Sequence, residues 1–459
     1  MQLPNIIYIN VDDLGWKDLG CMGSAYYETP NLDRLASRGM QFTQAYAQAA
    51  NCAPSRACLM SGQNTPRHGI YTVSPSARGD ERTRQLIPTP NTEVLADSVY
   101  TMAEMLRDQG YMTATFGKWH LGEDPTTQGF QINVGGSTRG NPGKEGYFSP
   151  YNIDHLEDGP EGEYLTDRLT DEVLSFLEAN QDTTFFVYLP YYSVHTPIMG
   201  KEALMRQFEN KPASDGQGRA DYAAMVASVD QNVGRILQWL EARGLTKSTL
   251  IILTSDNGGI RAISSQQPLR AGKGSYYEGG IRVPLIVRWD GQIEAGSRCE
   301  TPVTNMDIYP TLQAIVGRES KGQTLDGEDI SPLLYGRPLA ERPIFWHFPI
   351  YLQAYDEQLD QGRDPLFRTR PGSVVRLGDW KLHEYFEDGE LELYQLSEDM
   401  GEAHNLADTH PQKAKELYQL LIDWRKTTQA PVPTERNPQY DSAYEQAQRN
   451  RQTTEKELK

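Results

Sequence analysis

Short apolar runs that end in acidic or amide side chains give the chain its framework. Asn5 to Val11 reads as a strand buried on both faces, and it runs directly into Asp12-Asp13-Leu14-Gly15. Thr249 to Thr254 repeats the pattern and runs into Ser255-Asp256-Asn257-Gly258-Gly259. Helical periods alternate with such strands. Thr29-Pro30 opens a helix that Gly39 closes, and further helices are predicted at about 98–109 and 165–179. From about Ala220 to Arg243 the residues Val226, Val229, Val233, Ile236, Leu237 and Leu240 share one face, as a core-packing helix requires. Strands near 112–116, Phe185 to Leu189 and Val283 to Trp289 complete an α/β alternation. In open α/β sheets ligands sit outside the carboxyl ends of the strands, so the two polar strand ends point to one shared edge.

A proline-rich stretch around 331–343 marks a change of character. Beyond it, about 373–396 reads as short antiparallel strands with turns, followed by a helix near 411–427. The expectation is a large α/β domain over 1–340 and a smaller α+β domain with a short antiparallel sheet over 341–459. That second domain should contribute to the substrate pocket, and its polar tail from about 434 should be extended.

Composition narrows the function. Acidic residues number 62 against 44 basic ones, a net charge of -18, which disfavours nucleic acid or an anionic membrane surface as the main partner. No apolar run reaches membrane-spanning length. The four cysteines, Cys21, Cys52, Cys58 and Cys299, are too few and scattered for a disulfide framework. The chain enters a strand almost at once, so no secretion signal is read in it.

Cys52-Ala53-Pro54-Ser55-Arg56, followed by Ser61-Gly62, holds the sharpest chemistry. A cysteine ahead of a short helix beginning at Pro54, with an arginine beside it, suits a stabilised thiolate nucleophile; a partly buried structural cysteine is the plain alternative. Asp12, Asp13, Asp256 and Asn257 are oxygen donors, a set that suits calcium or magnesium better than zinc, although an aspartate at a strand end is commonly a turn former or cap. Lys118 and His120 leave the strand near 112–116 together, and His195 follows the strand at 185–189; alone, each could be a structural or surface residue.

The cysteine motif resembles the signature of the type I sulfatases, formylglycine-dependent enzymes of the alkaline-phosphatase-like superfamily, with Ser61 in place of the more usual threonine. Gly110-Tyr111-Met112-Thr113 through Gly117-Lys118-Trp119-His120 resembles the second signature of that family, and similarity in order and spacing extends over roughly 1–320. The resemblance implies an alkaline-phosphatase-like fold and sulfate-ester hydrolysis. It implies that a formylglycine-generating maturation enzyme oxidises Cys52 to an aldehyde, whose hydrate attacks sulfur and later sheds sulfate as the carbonyl reforms. Asp12, Asp13, Asp256 and Asn257, with the modified Cys52, would surround calcium, with magnesium the lesser choice. Arg56 would hold the nucleophile and Lys118 would neutralise charge. His120 would accept a proton, while His195 and Lys273 would assist departure of the alcohol.

Gly146 to Pro150, Glu157 to Pro160 and Phe345 to Pro349 look like those of bacterial polysaccharide sulfatases acting on galactose or N-acetylgalactosamine sulfates, as in carrageenans and chondroitin. His347, Arg370 and Arg376, near the predicted domain junction, are the candidates for touching the sugar. By analogy with the family, the protein is expected in the periplasm or secreted. Two other functions fit parts of the pattern: a phosphate or phosphonate monoester hydrolase of the same superfamily, and a non-catalytic glycan-binding relative.

Overall fold

A computed structural model describes residues 3–317, 322–356 and 358–457. Its centre is a nine-stranded sheet in the order β4-β3-β5-β1-β6-β7-β2-β8, with β9 also pairing β2. The strands are β1 (Asn5–Val11), β2 (Met40–Tyr46), β3 (Met112–Phe116), β4 (Ile132–Val134), β5 (Phe185–Tyr191), β6 (Thr249–Ser255), β7 (Arg282–Arg288), β8 (Ser297–Cys299) and β9 (Val303–Thr304). β1, β5, β6 and β7 are buried at every position, which is why they read as unbroken apolar runs rather than as alternating ones.

β3, β5, β1 and β6 run parallel to one another, so their carboxyl ends lie along a single edge. Each of these ends leads into residues predicted to carry chemistry. Within the large sheet, among the described residues, only the pairings of β7 with β6 and with β2 are antiparallel. One face of β1 places Ile7, Ile9 and Val11 in a core shared with the helices Leu165–Ala179 and Ala220–Ala242. The other face places Ile6 and Tyr8 in a second core, with Ala57 and Leu59 of the helix that carries Cys52.

From β10 (Ile344–Phe348) a second sheet forms in the order β10-β13-β14-β15, all antiparallel, with β13 Gly372–Leu377, β14 Trp380–Tyr385 and β15 Leu391–Gln395. A two-stranded ribbon, β11 (Leu352–Gln353) with β12 (Phe367–Thr369), precedes β13. Val375, Leu382 and Leu393 of the second sheet pack against Ala414, Leu417 and Leu421 of the helix Pro411–Thr428. Its other face joins the large sheet's side through Trp346, Phe348, Tyr46 and Ile281, and the Trp346 indole donates to the Ala47 carbonyl at 2.9 Å.

Two expectations are corrected. The tail from about 434 does not stay extended: after a strap over residues 82–87 it forms the helix Ser442–Glu457, whose Glu445 is drawn in by Arg370 at 2.7 Å. Buried ion pairing, absent from any apolar period, anchors that helix. The helix predicted to begin at Pro54 begins instead at Cys52, which puts Cys52 in the first turn.

Candidate active site

The helix Cys52–Ser61 is buried along its whole length, and its first residue is the cysteine, 2% exposed. Asn51 precedes it without capping it by a side chain; its amide donates to Thr72 Oγ1 instead, so the N–H groups of the first turn are free of a side-chain acceptor. Four residues on, Arg56 lies on the same helix face. Its Nε and Nη2 sit 2.8 and 2.7 Å from Asp256 Oδ2, and Nη1 donates to the Lys118 carbonyl at 2.6 Å. Ser55 accepts a hydrogen bond from Asn305 at 2.8 Å, tying the motif to the 3-10 turn that follows β9.

Asp12, Asp13 and Asp256 gather three buried carboxylates beneath Cys52. Lys118 Nζ lies 2.6 Å from Asp12, Lys273 Nζ 2.7 Å from Asp13, and the Asn257 amide donates to Asp13 at 2.8 Å. Burial alone would raise Asp13, but the ammonium groups of Lys273 and Lys118 outweigh it and hold that carboxyl below its ordinary range. Burial and the neighbouring Asp256 push Asp12 up. Two buried oxygens in this group, Asp12 Oδ1 and Asn257 Oδ1, have no hydrogen-bond partner among the described residues. Ligand atoms of Asp12, Asp256 and Cys52 come within 4.8 Å of one another. Orphaned acceptors in an oxygen-rich, carboxylate-rich nest fit a hard divalent cation.

Two local features of the backbone aim the remaining groups. Gly117 has a φ of +117°, and a Cβ there would come within 2.2 Å of the Pro190 carbonyl, so only glycine lets the chain leave β3 in the direction that delivers Lys118. Asp13 and His120 both adopt left-handed φ values, 60° and 64°, a strained choice for residues with side chains. The His120 ring rests against Gly140, where a Cβ would approach it within 2.5 Å.

The cavity above Cys52 measures about 460 Å³, and Cys52, His120, His195 and Lys273 all line it. His195 Nδ1 lies 2.8 Å from the Thr196 carbonyl and must donate to it, which leaves Nε2 as the lone-pair nitrogen, 3.7 Å from Asp13. Burial, reinforced by Lys273, lowers His195 to about 3; burial and Lys118 likewise lower His120 well below the ordinary range. Both imidazoles are therefore neutral near pH 7.

His347, Arg370 and Arg376 do not line this cavity. His347 is bound by Ser373 and the Pro431 carbonyl, each at 2.8 Å. Arg370 is enclosed by Asp364, Glu387 and Glu445, and Arg376 by Tyr46 and Gln44. Arg376 thereby ties the second sheet to β2, while the Arg370 pairs stay within the C-terminal region. Thr72, Arg78, Glu93, Asn141 and Tyr355 line the cavity instead, none of which stands in a periodic or motif context that would single it out in the sequence.

A cysteine at a helix N-terminus set over a carboxylate nest, at the carboxyl edge of a mostly parallel sheet with a small antiparallel sheet beside it, belongs to an alkaline-phosphatase-like fold. The sulfatase family model matches residues 4–317, and that of the C-terminal part of N-sulphoglucosamine sulphohydrolase matches 272–427. The chain belongs to the sulfatase family and is a sulfuric ester hydrolase. It is 35% identical to a sulfatase of Formosa agariphila over 89% of this chain and 85% of that one. It is 31% identical to the N-acetylgalactosamine-6-sulfatase of Canis lupus familiaris over 75% of this chain and 69% of the other. Among solved structures, Ps i-CgsB in complex with k-i-k-neocarrahexaose is similar, with a TM-score of 0.76, 28% identity and coverage of 98% of both chains. No helix among the described residues is long and apolar enough to cross a membrane.

Proposed function

We propose that the protein removes sulfate from a galactose- or N-acetylgalactosamine-sulfate unit of a poly- or oligosaccharide, carrageenan-like or chondroitin-like. The observation that carries the reading is the meeting of Cys52, His120, His195 and Lys273 in one cavity above three buried carboxylates. The relatives named for N-acetylgalactosamine-6-sulfate and for a carrageenan oligosaccharide support the class of sugar. The region 341–459 takes part by lending Tyr355 to the cavity.

When present, formylglycine at position 52 supplies a hydroxyl nucleophile and calcium a Lewis acid. Asp12, Asp13, Asp256, Asn257 and residue 52 are the proposed ligands. Arg56 fixes Asp256 and the first turn that carries residue 52. Lys118 and Lys273 compensate negative charge on the bound sulfate. His120 is the proton acceptor and His195 the acid that protonates the departing alcohol; since His195 is neutral in the free protein, it must first take a proton at Nε2, which an anionic sulfate favours. A maturation enzyme and a periplasmic or secreted location complete the proposal.

The reading is tested with Cys52→Ala and with mass spectrometry of the peptide bearing residue 52, made in a host that has the maturation enzyme. The expected results are loss of activity in the variant and a lower peptide mass from conversion to the aldehyde. An unmodified cysteine in fully active protein would overturn it.

A further inference from the structure

Arg78 is a cation in the cavity with no anion to match. It lines the same cavity as Cys52, yet it forms no ion pair with a carboxylate among the described residues. Its Nη2 donates to the Val73 and Ser74 carbonyls at 2.7 and 2.8 Å, and Nε and Nη1 make no hydrogen bond among the described residues. Glu93 shares the cavity lining but does not pair with Arg78. Arg368 lies nearby, also without a carboxylate. It donates to the Lys273 carbonyl at 2.9 Å, and its guanidinium stacks 3.3 Å from the Tyr355 ring centroid. Burial and this neighbouring cation push the Arg78 guanidinium down, the direction expected of a charge that lacks a counter-ion.

The loop holding Arg78 is fixed. Arg84 Nη1 donates to the carbonyls of Ala77, Arg78 and Gly79 at 3.0, 3.3 and 2.6 Å. Tyr351 donates its N–H to Ser76 at 2.9 Å and accepts from the Arg78 N–H at 3.3 Å. The C-terminal strap closes the outer side, with Ile87 donating to Glu435 at 2.9 Å and Asn437 to Gln85 at 3.0 Å. Such anchoring preorganises the guanidinium, so little ordering entropy is lost when it binds.

We propose that Arg78 forms a second anion subsite, which reads an oxyanion of the substrate other than the sulfate being cleaved: a further sulfate ester or a uronate carboxylate on the same or the adjoining sugar. The cleaved sulfate already has Lys118 and Lys273, and a guanidinium whose Nε and Nη1 are both free to donate supplies charge-assisted hydrogen bonds to a second oxyanion. The subsite rests on the sulfatase reading and deepens it into a preference for multiply anionic glycans.

The test compares kcat/KM of matured wild type, Arg78→Ala, Arg78→Gln and Arg78→Lys on three probes. These are a galactose monosulfate, a carrageenan-type oligosaccharide with two sulfates per disaccharide, and a chondroitin-sulfate-type disaccharide that bears a uronate. The wild type should prefer one of the doubly anionic probes. Arg78→Gln should lose that preference by about tenfold or more, the value of one charge-assisted contact. Arg78→Lys should keep part of it. The two doubly anionic probes separate sulfate from carboxylate as the group read. If Arg78→Ala unfolds, the Gln and Lys variants give the same ratio. An unchanged ratio in an enzyme that hydrolyses the monosulfate overturns the subsite alone; a wild type inert on all three probes overturns the galactose- or N-acetylgalactosamine-sulfate reading and the subsite with it.

Discussion

Replacing Arg56 by Met keeps much of the side-chain volume and removes the charge and every donor. Arg56 and Asp256 are each 1% exposed, and Arg56 makes its bonds to Asp256 and to the Lys118 carbonyl with no water-accessible substitute. Breaking a buried pair from one side leaves an uncompensated charge and costs about 3–5 kcal/mol. Urea unfolding should show that loss in the presence of a chelator. Added calcium should narrow it, because a cation in the carboxylate nest would share the charge of Asp256. Turnover should fall by about a hundredfold or more, since the first turn of the helix and Lys118 both lose their shared anchor. A variant within about 0.5 kcal/mol of wild type, the range of ordinary surface changes, and with near-normal turnover would refute the assignment of Arg56 as the anchor.

Gly117→Ala should destabilise the protein by about 2 kcal/mol or more and lower kcat, because the new Cβ meets the Pro190 carbonyl 2.2 Å away at a φ of +117°; equal unfolding midpoints and kcat would contradict this. Acid should weaken the fold through His347, which burial lowers to about 3. Its unfolded value is ~6.5, so below that pH the unfolded chain takes up a proton the folded chain refuses, and stability falls as pH drops from there toward 3. Urea midpoints measured near neutrality and near ~pH 5 should fall less for His347→Gln than for wild type, by about 2 kcal/mol in unfolding free energy; identical pH slopes would show that His347 does not titrate this way.

The buried parallel strands were legible because they are apolar at every position, and their polar ends announced the edge where chemistry gathers. Cys52, Lys118, His120, His195 and Lys273 were legible for another reason: short motifs hold them near glycines or strand ends, and such local constraints survive in sequence. The cavity wall was not. Arg78 sits on an irregular loop whose shape comes from Arg84, Tyr351 and a strap from residues more than three hundred positions away, none of which leaves a period. Arg370 and Arg376 look alike on the page, yet burial among Asp364, Glu387 and Glu445 in one case and Tyr46 and Gln44 in the other decides that both are structural. Charge on a strand identifies a cation; only the tertiary partners say whether it is already spent. The helix at 442–457 was hidden for the same reason, since its docking relies on Glu445 and on Tyr444 beneath Arg82 rather than on an apolar stripe.

The central claim is that this cavity is built for sulfate esters. Phosphate and phosphonate esters share the demand for a nucleophile, a cation and basic side chains, so the two ester classes compete for the same site chemistry. The direct measurement is kcat/KM of the matured, calcium-loaded enzyme on a sulfate ester and a phosphate ester with the same leaving alcohol. Faster hydrolysis of the sulfate ester is the result predicted; faster hydrolysis of the phosphate ester would contradict the account.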